Sequence, residues 1–293
     1  MPTPALLLSD AAETLAAGLP PLMVRAERLV SAVSLGMHGR RKAGIGQSFW
    51  QFHHYRCGDA ANAIDWRQSA KSEHLYVRER EWEAAQSVYL WRDGSPGMRF
   101  SSGGEKKIDR ASLLALALGV LLVRGGERIA LYGEREAPAN SRAAYRRIGY
   151  ALGERAPTDD VVPPEAPLPR NVQFVWFGDF LAPLDEIEHA IRRLTRTHAG
   201  GRLVQIVDPA EEDFPFAGRT RFEAVKGDAS RILGRAESVA GEYRDRFKAH
   251  GEALALLARK LGWNHLVHRT DRSPQTALVA LYADLSGGHG LRS

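Results

Sequence analysis

Asp93 and Ser95 stand two residues apart in VYLWRDGSPGMRF (residues 88–100), where an apolar run ends in an acid and a Gly-Ser-Pro-Gly turn. A carboxylate and a hydroxyl at one strand end suit a site for a hard cation, a serine nucleophile, or an ordinary strand-ending turn. The nucleophile reading is the poorest of the three. A nucleophile elbow is G-x-S-x-G, but Asp93 stands where its first glycine belongs, and Pro96 lacks the N–H that would serve an oxyanion hole. Two further strand ends carry acids, Gly178-Asp179 after VQFVWF and Asp208-Pro209 after LVQIV. Oxygen ligands of this kind suit Mg²⁺ or a similar ion. Taken singly, each Asp or Ser also reads as a turn former or helix cap.

Other constellations carry less. SSGGEKK (residues 101–107) lacks the order of a phosphate-binding loop, and no G-x-G-x-x-G follows the first strand of the α/β region. His53 and His54 are neighbours in a predicted strand and point to opposite faces. His265 and His268 have the spacing of one helical turn, without an assured third ligand. In FHHYRCGDAANAIDWRQSAK (residues 52–71), Arg56, Asp59, Asp65, Arg67 and Lys71 alternate in sign around Tyr55 and Trp66. The structural reading of that stretch is a turn with a buried Trp66 and its ion pairs.

Positioning these groups requires a scaffold, and the apolar pattern supplies one. Residues 1–36 predict two short helices separated by Pro20-Pro21, with Asp10 and Glu13 as a capping box for the first. Residues 37–47 read as a basic, glycine-rich loop, and residues 48–83 as extended segments around a turn. From residue 86 the pattern alternates strand and helix: strands at 86–92, 128–132, 171–177 and 202–207, helices at 106–124, 141–152, 184–197 and across most of 229–261. VQFVWF and LVQIV are apolar on successive residues, as strands become when helices cover both faces of a sheet. The fold class is therefore α/β, a doubly wound, mostly parallel sheet with helices on both faces, preceded by N-terminal helices and a small β-rich elaboration. Domain limits fall at 1–84 and 85–293, with the Pro-rich stretch 157–168 as a long loop inside the second.

Composition bounds the function classes. The chain has 293 residues, 44% of them hydrophobic and 26% charged, as in a soluble globular protein. The single cysteine excludes an internal disulfide and a multi-cysteine zinc motif, and together with the absence of an export signal it predicts the cytoplasm. The apolar run 111–123 is too short for a membrane span, which needs roughly 20 residues, and predicts a buried helix. The net charge of +5 is spread among acids apart from Arg40-Arg41-Lys42, so nucleic acid is not the expected partner.

HGRRKAGIGQSFWQFHHYRCGDAANAIDWRQSAKSEHLYVREREWE, then DGSPGM, GDF at 178–180 and DPAEEDFPFAG at 208–218, resemble in order the bacterial proteins of unknown-function domain family 58. That family looks like a relative of the von Willebrand factor type A domain, whose sheet carries a metal-ion-dependent adhesion site at its carboxyl edge. The resemblance implies Mg²⁺ or Mn²⁺ ligation by Asp93, Ser95, Thr158 and Asp179. Gly97 departs from the pattern by replacing a second serine. It also marks Arg56, Gly58, Asp59, Asp65, Trp66, Arg67 and Asp208 as family positions, while His53 and Asn62 stand where many relatives carry arginine. The implied function is non-catalytic protein binding and assembly, with a MoxR-type AAA+ ATPase as partner. The residues leave open a divalent-metal phosphoesterase built on Asp93 and Asp179, or a basic nucleic-acid-binding module.

Overall fold

A computed structural model describes residues 21–38, 50–55, 64–72, 74–80, 85–154, 158–223 and 230–287. Arg40, Arg41, Lys42, Arg56, Gly58, Asp59, Asn62 and the expected capping box at Asp10 lie outside the described residues. The chain forms two compact units, residues 36–85 and the remainder. Helix α1 (Pro21–His38) clusters with the larger unit as far as Leu35, whereas the sequence limits group it with the β-rich segment. Its buried Met23 reaches the space over Gly149, and Arg25 pairs with Glu105.

The smaller unit pairs β1 (Trp50–His54) antiparallel with β2 (Tyr76–Arg80), with a single helical turn, α2 (Trp66–Ser69), between them. Trp66 is 65% exposed, which corrects the expectation of a buried indole; it is the neighbouring Asp65 that is buried. The cause is local. Trp66 opens the one-turn helix, and Asp65 anchors it by accepting Ser69 N–H and Ser69 Oγ–H at its carbonyl while donating its own N–H to Tyr76.

The larger unit is built on β3 (Ser87–Arg92), β4 (Arg128–Leu131), β5 (Gln173–Gly178), β6 (Gly200–Val207) and β9 (Trp263–Arg269), all parallel, in the order β4-β3-β5-β6-β9. Helices α3 (Lys107–Arg124), α4 (Arg142–Glu154), α5 (Leu184–Thr195), α6 (Pro209–Asp213), α7 (Ala240–Lys260) and α8 (Pro274–Gly287) complete it. Strand side chains alternate between faces. Tyr89 and Trp91 of β3 join Phe174, Trp176 and Trp263 in a core closed by Ile187, Ile191, Leu254 and Ala258 of α5 and α7. Leu90, on the opposite face, meets α3 at Gly119, and α3 packs on α4 and α8. The run 111–123 is indeed a buried helix. Residues 158–172 hold no regular structure but are tied to the body, with the Tyr132 hydroxyl donating to the carbonyl of Ala166 at 2.9 Å.

Two stretches depart from the sequence reading. Residues 229–261 are helical over most of their length, from a 3₁₀ turn at Ala236–Val239 through α7, but they begin with a strand, because β7 (Thr220–Glu223) and β8 (Ser230–Leu233) form an antiparallel pair. His265 and His268 lie on β9 instead of a helical turn and bond different residues, Gln205 at 3.1 Å and Arg110 at 2.9 Å. Burial, with Arg110 adding to it, pushes the His268 imidazole down to about 4. Its alternation with polar Asn264 and His265 hides the strand from a search for continuous apolar runs.

Candidate functional site

β3 is the first strand of the sheet and lies inside it; the chain passes from β3 to β4 on one side and then crosses back to β5 on the other. That reversal opens a crevice at the carboxyl ends of β3 and β5, the place where open α/β sheets collect their ligands. Asp93 directly follows β3 and Asp179 directly follows β5, one on each side of the crevice. Both are buried, at 1% and 6% exposure, together with Ser95 at 3%.

The loop after β3 is fixed by its own hydrogen bonds. Ser95 N–H donates to Asp93 Oδ1 at 2.7 Å, and Pro96 opens a 3₁₀ turn (Pro96–Arg99) that buries Met98. Burial, reinforced by the Asp179 carboxylate, pushes the Asp93 carboxyl up to about 7; the Ser95 hydrogen bonds oppose the shift. Thr158 comes to this loop from far along the chain, its N–H donating to the Gly94 carbonyl at 3.3 Å. A β-carbon on Gly94 would lie 2.6 Å from Thr158 Oγ1. Gly94→Ala is therefore expected to cost about 1–2 kcal/mol, most of it recovered in Gly94→Ala/Thr158→Ala, where the opposing oxygen is gone. Urea unfolding of these two variants and of Thr158→Ala checks this.

Asp179 is held from three sides. Its Oδ1 accepts Leu181 N–H at 3.2 Å, its carbonyl accepts from Gln205 Nε2 at 3.1 Å, and its Oδ2 accepts from Lys107 Nζ at 3.2 Å. Lys107 is wholly buried at the start of α3, and its ammonium also pairs with Glu211. Glu211 in turn accepts Asp208 N–H at 2.9 Å, while Asp208 accepts Ala210 N–H at 2.9 Å, a reciprocal capping box on α6. Burial pushes the Glu211 carboxyl up, and Lys107 restrains the shift. Asp208 also accepts Ser102 N–H at 3.0 Å, so its part is to clamp loop and helix together.

The structure thus brings Asp93, Ser95, Thr158 and Asp179 to one edge of the sheet. Asp208 lies beside them in a capping role, while Asp65, Trp66 and Arg67 belong to the smaller unit. Lys107 and Glu211 were missed by sequence reasoning. Glu211 had a signal in Asp208-x-x-Glu211, the spacing of a capping box, whereas Lys107 is one lysine in a basic stretch.

The donor set fits a divalent ion poorly. Asp179 Oδ2 is already bonded to an ammonium, Gly97 offers no side-chain oxygen, and Mg²⁺ demands close, near-octahedral oxygen ligation. Among the described residues no three His, Cys, Asp or Glu are grouped to hold a metal. Lys107 instead supplies the positive charge that the buried carboxylates face.

The model of a protein family described as protein of unknown function DUF58 matches residues 51–253. Uncharacterized proteins of Mycobacterium tuberculosis and Mycobacterium bovis are each 26% identical to this chain, over 94% of it and 90% of their own length. Among solved structures, an aerotolerance-related membrane protein from Bacteroides fragilis aligns with 69% of this chain and 100% of its own at 12% identity and a TM-score of 0.43. A conserved hypothetical protein, BatB, from Bacteroides thetaiotaomicron aligns with 69% of this chain and 98% of its own, at 11% identity and a TM-score of 0.35. No helix among the described residues is long and apolar enough to cross a membrane.

Proposed function

This chain belongs to the DUF58 family, and on that premise we propose that it is a non-catalytic protein-binding factor working from the carboxyl edge of its sheet, with a MoxR-type AAA+ ATPase as partner. Its place of action in this reading is the cytoplasm. The observation that carries the reading is a groove of 680 Å³ that opens at this edge beside Ser95 and Asp179 and is walled mainly by apolar side chains. Apolar walls around a few convergent polar groups are the general form of a recognition site. The likeness of the family to type A domains points to the same edge. Lys107 offsets the buried carboxylates from within the protein, so binding does not call for a divalent ion.

The test is association of the full chain with a MoxR-type ATPase from the same organism, measured by pulldown in each nucleotide state and, without nucleotide, in chelator. Association that survives chelator and is lost in Leu181→Arg, a change at the exposed rim of the groove, is the expected result. No association in any nucleotide state would overturn the assembly reading. A melting temperature raised by Mg²⁺ or Mn²⁺ in the native chain but not in Asp93→Ala would return the site to metal, since a ligand stabilises the state that binds it.

A further inference from the structure

The groove joins two surfaces of different chemistry. Its floor carries Ser95 and the carboxylates of Asp179 and Glu211, and its rim adds Glu223 and Arg231. One wall is aromatic. Phe214 stacks on Phe222 with ring centres 5.7 Å apart and planes at 15°, and Tyr243 lies 4.7 Å from Phe214. Phe216 meets both phenylalanines edge-on, at 5.2 and 5.4 Å. Phe214 sits at the centre of this group with φ of 45°, a backbone state that bulky residues rarely occupy.

Charge is distributed unevenly here. The lining holds three carboxylates, Asp179, Glu211 and Glu223, against one guanidinium, Arg231, in a chain whose net charge is +5. Lys107 lies behind the floor, wholly buried, and its ammonium is already paired with Asp179 and Glu211. Asp93 is buried behind the lining, and with its carboxyl pushed up to about 7 it adds only part of a charge. With Lys107 counted, the groove still holds one carboxylate in excess on a basic protein, and aromatic side chains line it together with these acids.

We propose that the groove captures a basic side chain, arginine or lysine, presented by the partner on a short segment with apolar neighbours; this rests on the protein-binding reading above. Aromatic faces attract a cation through their quadrupole, and the carboxylates of the floor attract the same charge. Apolar walls such as Leu181 and Leu233 take the neighbours of the basic residue. An acidic side chain, the group that a metal-bearing edge would receive, meets repulsion from Asp179, Glu211 and Glu223.

Three acetylated and amidated tripeptides, Leu-Arg-Leu, Leu-citrulline-Leu and Leu-Glu-Leu, titrated into the full chain in EDTA and followed by NMR, test the chemistry. The arginine peptide should bind about tenfold more tightly than its uncharged citrulline isostere, and the glutamate peptide weakest of the three. Phe222→Ala should weaken the arginine peptide severalfold, and Leu181→Arg, at an exposed position that leaves the fold intact, should abolish its binding. Equal or tighter binding of the citrulline or glutamate peptide overturns the proposal. So does a need for Mg²⁺, or no response to the arginine peptide up to about 10 mM, a concentration at which even very weak sites fill. The two readings fail separately. Arginine binding without ATPase association removes the ATPase-assembly reading and leaves the groove chemistry, whereas ATPase association indifferent to Leu181→Arg and to the peptides removes only the groove chemistry.

Discussion

Lys107→Met is expected to destabilise the larger unit by about 3–5 kcal/mol, the cost of leaving buried acids without their cation. The ammonium it removes lies 3.2 Å from Asp179 Oδ2 and pairs with Glu211, at a position of zero exposure where water cannot replace it. Methionine matches the length of the lysine stem, so packing is largely kept and the loss is electrostatic. Lys107→Met/Glu211→Gln should recover part of it by removing one of the facing charges. The pH dependence has a definite sign. Lys107 lowers the Glu211 carboxyl, so its loss raises that group further, and a carboxyl raised by folding binds more protons in the native than in the unfolded state. The deficit relative to the native chain should therefore shrink as pH falls from about 7 toward the ordinary carboxylate range near 4. Urea unfolding at a series of pH values measures this. A deficit below about 1 kcal/mol, the scale of an exposed pair, would sink the account of Lys107 as the site's internal cation.

Gly201→Ala should disrupt the sheet at the opposite, amino-terminal end. Gly201 on β6 pairs with Trp263 on β9, and a β-carbon on Gly201 would lie 2.1 Å from two carbons of the indole ring. Trp263 is 1% exposed and packs within the core around Phe174, whose ring centre is 6.0 Å away, so the indole has little room to withdraw. Overpacking of this kind costs about 1–3 kcal/mol where neighbours can yield, and a central strand with a locked tryptophan belongs at or above the upper end. Trp263→Leu alone should lose core burial. The double variant Gly201→Ala/Trp263→Leu should be no less stable than Trp263→Leu alone, because the alanine then fills space that the indole left. Simple additivity of the two losses in urea unfolding would contradict this packing account.

Local pattern made the α/β framework readable. VQFVWF and LVQIV could be assigned because both faces of their strands are buried, which makes every residue but Gln173 and Gln205 apolar, and the helix over 111–123 could be assigned because it is buried nearly all round. β7, β8 and β9 were not readable for the converse reason. They lie at edges or in a small pair, with one side near solvent, and their mixed composition resembles helix or loop. Trp66 shows the same limit from another side, since an aromatic residue in a charged stretch says nothing of which way a one-turn helix will face.

For the site, the sequence by itself determined which acids end the strands: Asp93, Asp179 and Asp208 follow apolar runs whose direction fixes their place at the carboxyl edge. Strand polarity is a local property, so this much needs no knowledge of the rest of the chain. Only the tertiary structure decided what those acids meet. Strand order set Asp93 and Asp179 on either side of one crevice, and α3 delivered Lys107 between Asp179 and Glu211, groups separated by 72 and 104 residues in the chain. Charge pairing over such separations depends on which helix covers which strand end, and side-chain type carries no record of that.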